Sequence, residues 1–196
     1  LSGANISIGG NGIVTLEQKG NYTGTTTLLA GVTIDDRALA DAFGAGDLTI
    51  GAGVKPVTIK ASTGSSKASL DNHITFEAGA HLVTDPEFDL SKDITLKGDA
   101  YLTPYGPNDV VHMEDATLSG TGTLFLNGQG AVLLSDDIGA NVKIELDSGE
   151  LDLGAHLLGG AGQTQITIVD GVLQLGSSTF GSGGIDVQGG FLTTDQ

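Results

Sequence analysis

Cysteine is absent from the 196 residues, so neither a disulfide framework nor a thiolate metal site is available. Arginine occurs once, at Arg37, and eight basic residues stand against 24 acidic ones, a formal net charge of −16. No basic stripe exists to neutralise phosphate, which excludes nucleic acid as a partner, and an anionic membrane surface repels such a chain. No apolar run approaches the roughly 18 residues of a membrane span, so neither membrane insertion nor a signal peptide at Leu1 is expected. Prolines number four and aromatics make up 5%, which leaves Leu, Ile, Val and Ala to form the core. Helix-period patterns are nearly absent too. The one candidate, Asp36 to Phe43 ending at Gly44, is two turns at most.

What is abundant is glycine, 32 residues, over twice the usual share of about 7%. No long glycine run occurs, so the excess belongs to turns rather than to a flexible linker. The glycines fall into a recurring motif: apolar, any, apolar, two spacers, Gly, any, apolar, any, apolar. Clear copies run from Ile144 through Gly149 to Leu153 and from Ile166 through Gly171 to Leu175, and a shorter one from Ile185 through Gly190 to Leu192. Weaker copies begin at Ile6, Thr26, Leu48, Ile74, Ile94 and Leu124. Each copy reads as two short strands alternating with period two and joined at a glycine corner. A period near 20 built only from strands and turns predicts a solenoid, a right-handed parallel β-helix of about nine coils of roughly 20–22 residues. Residues 1–196 form a single such unit. The motif begins almost at once and still runs at Leu192, so the chain reads as part of a longer array.

Alternation assigns the strand interiors. Thr75, Thr95, Phe125, Glu145, Thr167 and Asp186 lie between apolar positions and should face solvent. Leu133, Leu151, Leu153, Leu173 and Leu175 belong inside, and His81 occupies an otherwise inward position. Three stretches break the period and are expected as inserted loops: 35–47, rich in Ala and Asp; 61–72, rich in Ser; and 101–115. The last holds two of the four prolines, two of the three tyrosines and the only methionine. A segment so unlike its surroundings is expected to project from the coil, as a tolerated insertion or as a recognition loop through Tyr101, Tyr105, Asn108, Asp109 and His112.

The stretch Asn21-Tyr22-Thr23-Gly24-Thr25-Thr26-Thr27-Leu28-Leu29-Ala30-Gly31-Val32-Thr33-Ile34, followed by Ala38-Leu39 and Phe43-Gly44-Ala45-Gly46-Asp47-Leu48-Thr49-Ile50, resembles the passenger-associated transport repeat. That repeat marks the passenger regions of autotransporters, the type V secreted proteins of Gram-negative bacteria. Tyr22, Gly24, Thr25, Ala30, Gly31, Gly44 and Gly46 match its pattern, while Val32-Thr33 replaces a favoured Thr-Leu and the spacer before Gly44 is longer. The match covers about 30 residues, and the rest is similar to passengers in rhythm and composition. The resemblance implies a right-handed β-helix exposed at, or released from, the bacterial surface after export through the outer membrane. It implies adhesion, self-association, aggregation or biofilm formation, with itself or a host surface glycan or matrix protein as partner, and it brings no catalytic residues.

Chemistry read from the residues agrees with a non-enzyme. Asp71, Asp93, Asp115 and Asp137 recur at intervals of 22 but drift relative to the motif, so they do not stack as a sugar-cleaving acid–base pair. Asp136-Asp137 point to opposite faces if extended. His73, His81, His112 and His156 lack metal-ligand spacing. The Ser-rich stretch 62–69 has no nucleophile elbow. Gly181 to Asp186 only faintly resembles a calcium-binding nonapeptide and is not in tandem. No cofactor or metal is expected. The function this implies is a surface adhesin acting through outward polar ladders. A stalk holding a distal tip, or a carbohydrate-active β-helix enzyme, are the alternatives.

Overall fold

The computed structural model describes residues 3–38, 42–61, 68–113, 116–134, 138–139, 141–154, 157–158, 165–177, 179–180 and 183–194. Among them there is no helix, and the chain winds as a parallel β-solenoid of about eight turns. Three faces follow from the registers. The first stacks β1 (Ile6–Ile8), β3 (Thr26–Leu28), β5 (Leu48–Ile50), β8 (Ile74–Phe76), β11 (Ile94–Lys97) and the beginning of β14 (Leu118–Leu134). The second stacks β2 (Ile13–Leu16), β4 (Thr33–Asp36), β6 (Val57–Ala61), β9 (His81–Asp85) and β12 (Ala100–Pro104). It continues through the middle of β14, the start of β15 (Val142–Asp152), β17 (Gln165–Ile168) and β20 (Gly184–Val187). The third holds β7 (Ala68–Leu70), β10 (Phe88–Leu90), β13 (Val110–Met113), the ends of β14 and β15, β18 (Val172–Gln174) and β21 (Phe191–Thr193). Two short strands, β16 (Leu157–Leu158) and β19 (Thr179–Phe180), pair with each other.

Each coil sends two side chains per face inward. Leu48, Ile50, Val57, Ile59, Ala68 and Leu70 are such a set, all buried. Burial of each large member is worth about 1.5–3 kcal/mol, and because the columns run along the axis, that gain depends on the coils above and below. Phe43, Phe76 and Phe88 are the largest fully buried side chains. The motif glycines turn the corners. Gly149, Gly171 and Gly190 have φ of 84°, 103° and 71°, a region that side chains with a Cβ disfavour.

The strand–glycine–strand motif does not mark one corner throughout. At Ile6, Thr26, Leu48, Ile74 and Ile94 it spans the first and second faces; at Leu124, Ile144, Ile166 and Ile185 it spans the second and third. The column above Ile94 continues at Leu118, so the expected interruption before Leu124 is largely a change of corner. The stretch 101–115 is accordingly not a projecting loop. Tyr101 to Pro104 lie in β12 and Val110 to Met113 form β13, leaving only a short connection between them; Glu114 and Asp115 lie outside the described residues. Of 35–47, Asp35 and Asp36 belong to β4, and of 61–72, Ala61 ends β6 and Ala68 to Leu70 form β7; residues 39–41 and 62–67 lie outside the described residues. The two-turn helix is not seen, since Asp36 is strand and residues 42–45 are turn.

Most of the inward assignments hold: Leu151, Leu153 and Leu173 are fully buried and Leu175 packs against the core. Leu133 and His81 do not. In β14 the buried neighbours are Val132 and Leu134, and in β9 they are Leu82 and Thr84, so Leu133 and His81 face outward.

Candidate functional site

The outward residues form columns along the axis, and two faces carry distinctive ones. On the first face the central outward column is Ser7, Thr27, Thr49, Thr75, Thr95 and Ser119, in unbroken register. These side chains sit between inward apolar neighbours, so period-two alternation alone turns them out. Thr95 and Ser119 hydroxyls are 3.3 Å apart, consistent with rungs spaced about 4.8 Å. Beside the ladder, Lys97 donates to Glu77 at 2.7 Å and His73 lies 3.9 Å from Asp93. The hydroxyl stripe is therefore bordered by an ion pair, Lys97 with Glu77, already satisfied within the face.

The second face carries aromatic and charged groups. His81, Tyr101, Phe125, Glu145, Thr167 and Asp186 share one outward column. The Tyr101 and Phe125 rings stack with centroids 4.9 Å apart at 20°, and His81 leans on Tyr101 at 5.6 Å and 49°. Next to them Thr103 donates its hydroxyl proton to Asn127 Oδ1. His81 Nε2, 2.8 Å from the same hydroxyl oxygen, must then be the donor. Burial lowers the His81 pKa from 6.5, which keeps the imidazole neutral in that chain. One rung past Phe125, the Glu145 pKa is raised from 4.5 by burial, by the charge of and a hydrogen bond with Asp147, and by the charge of Asp99.

Further along the same strands lies a cavity of about 250 Å³ lined by Thr33, Pro56, Thr58, Lys60, Val83, Asp85 and Tyr105. Its floor follows from the register Thr33, Thr58, Val83 across β4, β6 and β9. Lys60 and Asp85 face each other in register, with Nζ 3.1 Å from Oδ2. Tyr105 follows β12 directly, its N–H bonded to the carbonyl of Thr84 at 3.0 Å. Tyr105 is 64% exposed, and its ring stands 5.9 Å from the Lys60 ammonium.

The five residues expected in one recognition loop are thus dispersed. Tyr101 and Tyr105 are on the second face. Asn108 is exposed in the 106–109 turn, which Asp109 closes by accepting the Gly106 N–H at 2.6 Å. His112 lies in β13 on the third face, with Nε2 2.8 Å from Glu87. Lys60, Asp85 and Val83, brought to Tyr105 by coil register, carried no signal in the sequence beyond outward position.

The repeat residues around Tyr22 hold one corner of the coil. The Tyr22 hydroxyl lies 3.0 Å from that of buried Thr26, and Asn5 accepts the Thr25 N–H at 3.0 Å. Gly24 packs so closely on Ala4 that a Cβ would run into its carbonyl, and Gly46 packs likewise on Gly24. One coil on, the Asn72 amide donates to the carbonyls of Gly44 and Gly46 at 3.0 and 2.6 Å. Ala30 and Gly31 form the turn between the first and second faces, where Gly31 has φ of 88°.

Asp71 accepts from Ser91 at 2.7 Å and Asp93 faces His73, so these two acids occupy different columns. Asp115, Asp136, Asp137, His156, Gly181 and Ser182 lie outside the described residues. Among the described residues no group of three or more His, Asp and Glu is placed to hold a metal ion, and no helix is long and apolar enough to cross a membrane. Fold and surface together define a parallel β-solenoid with a hydroxyl ladder on one face and an aromatic-rimmed cavity on another. No family model, no curated protein and no solved structure matches the chain.

Proposed function

We propose that the chain is a length of autotransporter passenger, displayed at the bacterial surface or released from it, that acts as a non-enzymatic adhesin by pairing with copies of itself. The observation that carries this reading is the six-rung column Ser7, Thr27, Thr49, Thr75, Thr95, Ser119. A hydroxyl both donates and accepts, so one such column is complementary to a second copy in either direction. The repeat around Tyr22 to Gly46 supports the passenger assignment, with export across the outer membrane and coil-by-coil folding outside. Aggregation and biofilm formation are what such pairing produces between cells.

Each net hydrogen bond contributes about 0.5–1.5 kcal/mol, while association costs upward of about 4 kcal/mol. Isolated chains therefore pair at millimolar concentration at the tightest, and the arrays between two cells gain by multivalency. Sedimentation velocity up to about 1 mM, alongside clustering of beads coated with the chain, tests this. Wild type is expected to show reversible dimers and bead clusters. The triple change Thr49→Glu, Thr75→Glu, Thr95→Glu should abolish both, with circular dichroism checking that the coil stays folded. A monomer at every concentration, with no clustering, would instead favour a stalk that presents a distal tip.

A further inference from the structure

We propose that the cavity on the second face is a saccharide site that takes one pyranose residue of a neutral glycan. The lining divides by chemistry. Pro56, Val83 and the Tyr105 ring give apolar surface, Val83 being 8% exposed at the floor and Tyr105 standing open at the rim. The polar groups are a fixed donor, the Lys60 ammonium, a fixed acceptor, the Asp85 carboxylate, and two hydroxyls, Thr33 and Thr58, that can do either.

Size limits the occupant first. At about 250 Å³ the cavity falls below the roughly 300–1,000 Å³ of drug-sized pockets, which suits a single sugar ring and excludes a folded partner. Charge limits it next. Lys60 and Asp85 neutralise each other at 3.1 Å, and the molecule at large carries −16, so uronates and sialic acids are repelled and no cation is called for. What remains must be neutral, carry several hydroxyls that donate and accept at once, and present an apolar face to an aromatic ring. A pyranose has this pattern: axial C–H groups on one face, hydroxyls around the edge. A neutral apolar peptide side chain would leave most of the polar lining unmatched.

The setting also suits recognition. Thr33, Thr58, Lys60, Val83 and Asp85 are strand residues in register, so these groups are held by the solenoid before any ligand arrives. The Lys60–Asp85 pair is partly open to solvent and such pairs add little to stability, so its polar atoms are available to a ligand at little cost to the fold. The cavity lies on a different face from the hydroxyl ladder, and glycan capture and self-association are separately testable.

Saturation-transfer NMR on the intact chain, with the methyl glycosides of glucose, galactose, mannose and N-acetylglucosamine, tests the site. Sialic acid and methyl glucuronide serve as charged controls. Transfer to ring C–H protons of at least one neutral glycoside is expected, with none to the acidic sugars. Tyr105→Ala and Asp85→Asn should each weaken it about ten-fold or more, with the circular dichroism spectrum and melting temperature unchanged. Lys60→Met, which removes the donor beside Asp85 and Tyr105, should weaken it as well. The site is overturned if no neutral glycoside receives transfer, if acidic sugars bind as well, or if binding survives Tyr105→Ala in a folded protein. The triple ladder variant of the first face should retain glycoside binding in full.

Discussion

The carboxyl group of Glu145 stands one rung beyond the Tyr101–Phe125 stack, where partial burial and the nearby Asp147 and Asp99 disfavour its charge. Its raised pKa means that the folded protein keeps this proton at pH values where the unfolded chain, with an ordinary value of 4.5, has released it. The folded state therefore binds more protons in that window, and stability falls as pH rises through 4.5 toward the raised value. Above the window the cost persists. Glu145→Gln should accordingly raise the melting temperature at pH 7, and the difference from wild type should vanish below about pH 4. Melting curves at both pH values check this. A Gln variant no more stable at neutral pH would mean that the Asp147 and Asp99 charges relax away when Glu145 ionises. His81 works in the opposite sense: with its pKa lowered from 6.5, stability is lost as pH falls through 6.5, because the unfolded histidine takes its proton first.

At the scale of the strand and the corner, the decisive contacts are between backbones. Gly24 and Gly46 stack on successive coils with no space for a methyl group between them, and Asn72 ties the next coil to the carbonyls of Gly44 and Gly46. Gly46→Ala would press a Cβ into the carbonyl of Gly24, a backbone atom that can yield only if the two coils separate. Overpacking of this kind costs about 1–3 kcal/mol, so the variant should melt several degrees lower, read by thermal circular dichroism. Gly12→Ala is the control, since a Cβ there meets nothing within 4 Å. The passenger-like glycines thus have a structural reason that needs no ligand.

The same corners explain what could be read in advance. Period-two alternation separates inside from outside wherever one side is buried, so Thr75, Thr95 and Glu145 were placed correctly. It does not say which of three corners a glycine turns, because apolar-x-apolar on either side of Gly looks alike at each. A shift of one corner therefore passes unnoticed, and β14, running through all three faces, hid the Leu118 rung behind Leu124. His81 was misplaced for a related reason: β9 buries Thr84, a polar residue, which blurs the alternation. Tyr105 stood out by composition, but Lys60 and Asp85 meet it only through registers between coils, which local patterning does not encode.

For the molecule as a whole, the excess of negative charge sets the terms on which two copies meet. With −16 per chain, approach is opposed at long range, and the screening length falls from about 30 Å at 0.01 M to about 10 Å at 0.1 M. A hydroxyl ladder acts only at contact and carries no charge for salt to screen. The ion pair that borders it, Lys97 with Glu77, is already satisfied within the same coil stack and has little attraction to offer across an interface. Raising salt from about 0.01 M to about 0.15 M should therefore strengthen self-association, by removing repulsion while leaving the hydrogen bonds in place. An interface built on ion pairs between copies would respond in the reverse direction, as its attraction is screened. Sedimentation velocity at the two ionic strengths separates them: dimers favoured by salt support pairing through the ladder, whereas dissociation on adding salt would assign the contact to the charged columns and rule out the ladder as its basis.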